Sequence, residues 1–158
     1  MSSYAEVDQV VRMLAQDYAT RLVKARKFHR DQKQVGIEAQ NLWMKEDVRK
    51  WMGDAFVMES WTGVTGLRGG QTRYDVVLHF SGYQVRIEVQ SSPYQDVRKD
   101  AQLHGQIIGL SEGTAAPGNE ILFYKILGGS RCIYRWTRAE AKRAVETGLL
   151  KAPCVFYF

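Results

Sequence analysis

Two runs of alternating apolar and polar residues face each other across a short turn. Tyr74-Asp75-Val76-Val77-Leu78-His79-Phe80 is followed, after Ser81-Gly82, by Tyr83-Gln84-Val85-Arg86-Ile87-Glu88-Val89-Gln90. A period of two is that of half-buried β-strands. A two-residue turn at Ser81-Gly82 sets the hairpin register: Phe80 opposite Tyr83, Leu78 opposite Val85, Val76 opposite Ile87 and Asp75 opposite Glu88. One face, with Val76, Leu78, Phe80, Val85, Ile87 and Val89, belongs in a core. The other carries Asp75, Val77, His79, Gln84, Arg86, Glu88 and Gln90, and reads as either a solvated sheet face or a site.

Elsewhere the pattern changes to helical spacing. Val7, Val10, Val11, Leu14, Tyr18 and Leu22 recur every three or four positions and predict a helix over 7–27. Gly36 is expected to break it, and a second helix is expected over 37–52, buried through Ile37, Met44, Val48, Trp51 and Met52 and stopped by Gly53. Residues 55–61 read as a strand. A glycine-rich loop with Arg68 and Arg73 leads into the hairpin. It lacks the Gly-Lys-Ser/Thr of a phosphate-binding loop and precedes a strand, so its plain reading is a surface loop. Pro93 opens a third predicted helix that runs to about Leu110. Strands follow at 121–127 and 132–136, joined by a hairpin turn at Gly128-Gly129-Ser130-Arg131. Thr137-Arg138-Ala139-Glu140 forms a capping box for a helix that Gly148 stops, and 155–158 reads as a last strand. The order is α-α-β-β-β-α-β-β-α-β in one α+β domain of 158 residues.

The opposition of Asp75 and Glu88 changes the picture. Directly opposed side chains have Cβ atoms about 5 Å apart, where like charges destabilise. A compensating cation is needed, and carboxylate oxygens suit Mg²⁺ or Mn²⁺. Lys and Arg total 22 against 17 for Asp and Glu, a basic excess that suits a polyanionic partner without requiring one. Lys24, Arg26, Lys27, His29, Arg30 and Lys33, with Phe28 among them, form a basic stretch at the end of the first helix. It reads either as a solvated helix end or as a grip on a DNA backbone.

No run approaches the ~20 apolar residues of a membrane span, and Met1 to Glu6 lacks the features of a signal peptide. Cys132 and Cys154 lie in apolar runs and read as reduced core thiols of a cytoplasmic protein. The three histidines are scattered and no Cys/His cluster has zinc spacing.

An acid on one strand, a hairpin, and then Glu88-Val89-Gln90 resembles the PD-(D/E)xK nuclease superfamily, with Gln where Lys is usual and Tyr74-Asp75 in place of Pro-Asp. The resemblance covers roughly residues 36–136. It implies a restriction-endonuclease-like αβββαβ core, a mixed sheet flanked by helices, with the 7–27 helix before it and 137–158 after it. It also implies a divalent-metal-dependent DNA endonuclease of restriction, homing or junction-resolving type, acting as a homodimer or larger symmetric oligomer. Asp75 and Glu88 would be ligands of Mg²⁺ or Mn²⁺, with the Val89 carbonyl as a third oxygen, and Gln90 would orient the attacking water. Glu38 would be the helical acid, with Glu46 as the alternative. Arg86 or Lys99 would supply the charge of the absent lysine; Gln102 matches a helical Gln of some members. Lys24, Arg26, Lys27, Arg30, Lys33, Arg68, Arg73, Arg86 and Lys99 would meet DNA. Two other readings compete: a non-catalytic nucleic-acid-binding or assembly module on a degenerate nuclease scaffold, and an unrelated α+β binding protein.

Overall fold

The computed structural model describes residues 4–43, 46, 56–61, 76–80, 82–90, 101–112, 119–148 and 156–158. They form helices α1 (Tyr4–Phe28), α2 (Gln32–Leu42), α3 (Ala101–Glu112) and α4 (Arg138–Thr147). The strands are β1 (Phe56–Trp61), β2 (Val76–Phe80), β3 (Tyr83–Gln90), β4 (Glu120–Leu127), β5 (Cys132–Thr137) and β6 (Phe156–Tyr157).

These strands make one mixed sheet in the order β1-β2-β3-β4-β5-β6. Every neighbouring pair is antiparallel except β3 and β4, which run parallel. A parallel pair needs a crossover, and α3 lies between these two strands in the chain. The β2–β3 register pairs Phe80 with Tyr83, Leu78 with Val85 and Val76 with Ile87, as the alternation predicts. Gly82 turns the chain at φ 86°, a conformation that costs glycine little.

Both faces of the sheet are covered. Leu78, Val85, Ile87, Val89, Leu122, Tyr124, Ile126 and Ile133 pack with Val7, Val11, Leu14, Tyr18 and Leu22 of α1 and with Val35, Ala39 and Trp43. On the opposite face Val77, Ile121, Phe123 and Trp136 pack with Ile107 and Leu110 of α3 and with Ala141 and Ala144 of α4. On the polar side of β3 only Glu88 is buried, while Gln84, Arg86 and Gln90 stay partly exposed, so the solvated-face reading holds in part. The β3–β4 crossover helix α3, together with α4, packs over β4 and β5 on this side.

Two other expectations need correction. Gly36 does not break a helix: the chain leaves α1 after Phe28 and α2 begins at Gln32, with Gly36 inside it. The Val35 amide donates to the Asp31 carbonyl (3.0 Å), which closes the first turn. The roughly 1 kcal/mol cost of an interior helical glycine is offset by the burial of Val35 and Ala39 on either side of it. The second correction concerns Cys132, which is buried and disulfide-bonded rather than reduced; the chain holds one further cysteine, Cys154. Disulfides persist in oxidising compartments, so Cys132 lends no support to a cytoplasmic location. Among the described residues no helix is long and apolar enough to cross a membrane.

The C-terminal helix follows its local code. Thr137 Oγ1 accepts from the Glu140 amide and Glu140 Oε1 accepts from the Thr137 amide, both at 3.1 Å. Gly148 ends α4 at φ 69°. At the β4–β5 turn the left-handed residue is Arg131 (φ 55°), not a glycine. Gly128 serves close packing instead: a Cβ there would lie 2.2 Å from Leu22 Cδ1 and 2.8 Å from Tyr18 Cε1.

A polar clamp fixes the start of α1 to the sheet. The Tyr124 hydroxyl donates to Asp8 Oδ1 and the Arg135 guanidinium to Asp8 Oδ2, each at 2.5 Å. Arg135 also lies over the Tyr4 ring, and the Tyr4 hydroxyl donates to Glu120 Oε2 at 2.5 Å. Burial, then the hydrogen bond to Asp8, hold the Tyr124 phenol well above its ordinary value. The hydrogen bond to Glu120, with burial, pushes Tyr4 up to about 12. For Arg135, burial pulls downward, but the bond to Asp8 and its charge outweigh it and the net shift is upward.

A phenol whose folded pKa is raised favours the folded state below its unfolded value. That contribution is lost as pH rises through the folded one. For Tyr4 the window runs from 10.0 to about 12. Asp8→Ala leaves Tyr124 and Arg135 without their shared acceptor. Hydrogen bonds to charged groups contribute about 1.5–3 kcal/mol each, and urea denaturation of this variant is expected to show a loss of about 2–3 kcal/mol.

Candidate functional site

Glu88, Gln90 and Lys125 come together on the α3/α4 face of the sheet, at the end where β3 and β4 finish. The parallel register sets Glu88 beside Lys125 and Gln90 beside Leu127. Register partners on neighbouring strands point to the same face, with the strands about 4.8 Å apart. Glu88 is 8 % exposed and Lys125 is 0 % exposed. Lys125 is flanked on its other side by Tyr134 of β5, and Tyr134 packs against the core of this face.

A carboxylate and an ammonium buried at adjacent positions need each other, because each alone would carry a large desolvation cost. Lys125 therefore meets part of the demand for positive charge that the sequence assigns to a metal. It also stands on the same face as Glu88 and Gln90, one strand across. The sequence carries a signal for it, since Lys125 is the single charge within Ile121-Leu122-Phe123-Tyr124-Lys125-Ile126-Leu127. A lysine inside a fully apolar strand is rarely buried without a partner. Its neighbour could not be named from spacing, because it lies on the far side of a crossover.

The other expected site residues are distributed unevenly. Asp75, Arg68, Arg73 and Lys99 lie outside the described residues. Glu38 pairs with His29, and Glu46 pairs with Arg21 at 2.6 Å. Glu46 is thus held by α1 and Glu38 by the residue just past its end. α2 packs on the sheet face opposite Glu88, and the structure brings neither acid to Glu88 among the described residues.

Arg86 shares the face of Glu88, and its Nε donates to Gln84 Oε1 at 2.9 Å. Val89 turns its side chain into the opposite core. His79 sits at the register position of Gln84, two steps from Arg86. Gln102 lies in the first turn of α3. Lys24, Arg26 and Lys27 are exposed on α1 and Arg30 is exposed just past it, while Lys33 falls in α2.

Of the expected metal ligands, only Glu88 and Val89 lie among the described residues. Glu88 contributes one carboxylate, an oxygen donor of the kind that hard cations take. Among the described residues no three of His, Cys, Asp and Glu form a cluster. No protein-family model, curated protein or solved structure matches the chain. The functional reading therefore rests on the residues themselves.

Proposed function

We propose that the protein is a divalent-metal-dependent DNA endonuclease whose site is built around Glu88. The observation that carries this reading is the buried Glu88 beside the buried Lys125, with Gln90 next along the same face at the end of β3. A bound Mg²⁺ or Mn²⁺ would polarise the scissile phosphate and lower the pKa of an attacking water.

The chain's own groups have distinct work. Glu88 and Asp75 would hold the cation with their carboxylates, and the Val89 carbonyl would be a third oxygen. Gln90 orients the water by hydrogen bonding. Water adds to phosphorus, and the bond from phosphorus to the leaving oxygen breaks. Lys125 brings the positive charge that favours the extra negative charge of that transition state, in place of the motif lysine. Burial on a face closed by α3 and α4 keeps that charge poorly screened. Two copies of the chain would supply the two sites that double-strand cleavage needs.

The degenerate-scaffold reading has one specific observation behind it: Lys125 can neutralise Glu88 with no metal at all. Supercoiled plasmid and junction substrates, incubated with Mg²⁺ and with EDTA, separate the two. We expect Mg²⁺-dependent cutting that Asp75→Asn abolishes. Gln90→Ala should lower turnover with nucleic-acid affinity close to wild type. Calorimetric titration should show divalent binding lost in Asp75→Asn. Equal Mg²⁺ binding by both proteins, with no cutting by either, would leave the scaffold reading standing and remove the enzyme.

A further inference from the structure

The tip of α1 overhangs the sheet at the end that carries Glu88, Gln90 and Lys125. Helix α1 starts at the opposite end, where β3 and β4 begin: the Tyr4 hydroxyl reaches Glu120, and its ring lies 5.6 Å from that of Tyr83. By Tyr18 and Leu22 the helix has crossed the sheet, since both side chains close over Gly128. Gly128 follows β4, and its amide donates to the Gln90 carbonyl at 2.8 Å. From Leu22 the helix continues to Phe28, about 9 Å further at 1.5 Å per residue. Phe28 thus projects past the strand ends on which the candidate site lies.

Phe28 is 79 % exposed, the most exposed large apolar side chain among the described residues. Its surroundings are basic. Lys24 lies one helical turn before it, on the same side of the helix, and Lys24, Arg26, Lys27 and Arg30 are all exposed. An aromatic ring left in water among cations has no core to join. It matches a partner that offers a flat π-face beside negative charge.

We infer that this tip binds nucleic acid with unpaired bases: Phe28 stacks on an exposed base while Lys24, Lys27 and Arg30 contact the flanking phosphates. The inference rests on the proposed function only for the class of partner, which it narrows from DNA in general to DNA with single-stranded character. It needs binding alone, not cleavage. Aromatic–base stacking tolerates any base and favours splayed strands over closed duplex, whose bases are already stacked.

Fluorescence anisotropy in EDTA tests this without catalysis, using a labelled single-stranded oligonucleotide, a blunt duplex of the same sequence, and vesicles of phosphatidylserine and phosphatidylcholine. Phe28→Ala is expected to weaken single-strand binding by about 5- to 150-fold. It should barely change blunt-duplex binding and leave the salt dependence of single-strand binding unaltered. Phe28→Trp should retain wild-type affinity. Lys24→Ala with Lys27→Ala should weaken both DNAs and flatten the log–log salt slope on the single strand by about 0.7 per contact removed.

Wild-type affinity in Phe28→Ala overturns the inference, and so does binding to the vesicles with none to either DNA. Failure of the proposed function looks different: DNA binding would follow the expected pattern in EDTA, while Mg²⁺ would bring no cleavage.

Discussion

Lys125→Ala is expected to destabilise the protein by about 3–5 kcal/mol, because it leaves the Glu88 carboxylate buried without its neighbouring cation. The lost side chain also opens a cavity on a covered sheet face, which adds to the cost. Chemical denaturation measures the loss.

The double variant Lys125→Met with Glu88→Gln separates charge from packing. It removes both charges at nearly conserved volume and should recover most of the stability, since replacing a whole buried pair is often neutral. The proposed chemistry would not recover with it. A variant with wild-type stability and no metal-dependent cleavage assigns the pair to function. If Lys125→Ala alone denatures like the wild type, the two charges do not depend on each other. Lys125 would then have no part in the site.

Trp43→Ala is expected to cost about 3–5 kcal/mol, the range for removing a large buried aromatic. Trp43 is fully buried in the core on the α1/α2 face. Its ring meets that of Tyr18 edge-on at 5.7 Å, and its Nε1 donates to the Leu14 carbonyl at 2.9 Å. The side chain is thus the bolt between α2 and the middle of α1. Trp43→Phe keeps most of the volume and loses the hydrogen bond, so it should cost about 1 kcal/mol beyond the change in packing. Thermal and urea denaturation of the two variants give both numbers. Because α2 lies on the sheet face away from Glu88, Trp43→Phe should leave the behaviour of the candidate site unchanged.

Features set within a few residues were legible. The β2–β3 register follows from the alternation about Ser81-Gly82, because a one-residue slip would move every apolar side chain to the wrong face. The capping box at Thr137 and Glu140 is a contact between residues one turn apart, and Gly148 meets a backbone requirement of its own position. Gly36 misled for the complementary reason. Its low helix propensity was read correctly, but Val35, Ala39 and Trp43 at four-residue spacing bury against α1 and hold the helix through it. That spacing is present in the sequence, but its energy comes from burial against α1, which a local helix propensity does not contain.

The polar face of the hairpin marks the division. Its residues, Glu88 and Gln90 included, are set by sequence alternation, and so is the Asp75 position expected opposite Glu88. Whether that face meets water or a core is not a local property. It depends on α3 crossing over so that β4 lies parallel to β3, and on α3 and α4 closing above them. The same crossover brings Lys125 to Glu88 and makes both of them buried. In sequence Lys125 is a lone charge in an apolar strand with no visible partner. Alternation and capping are decided by contacts between residues a few positions apart, whereas the placing of two buried charged residues at one register position is decided by which distant strand closes beside the first.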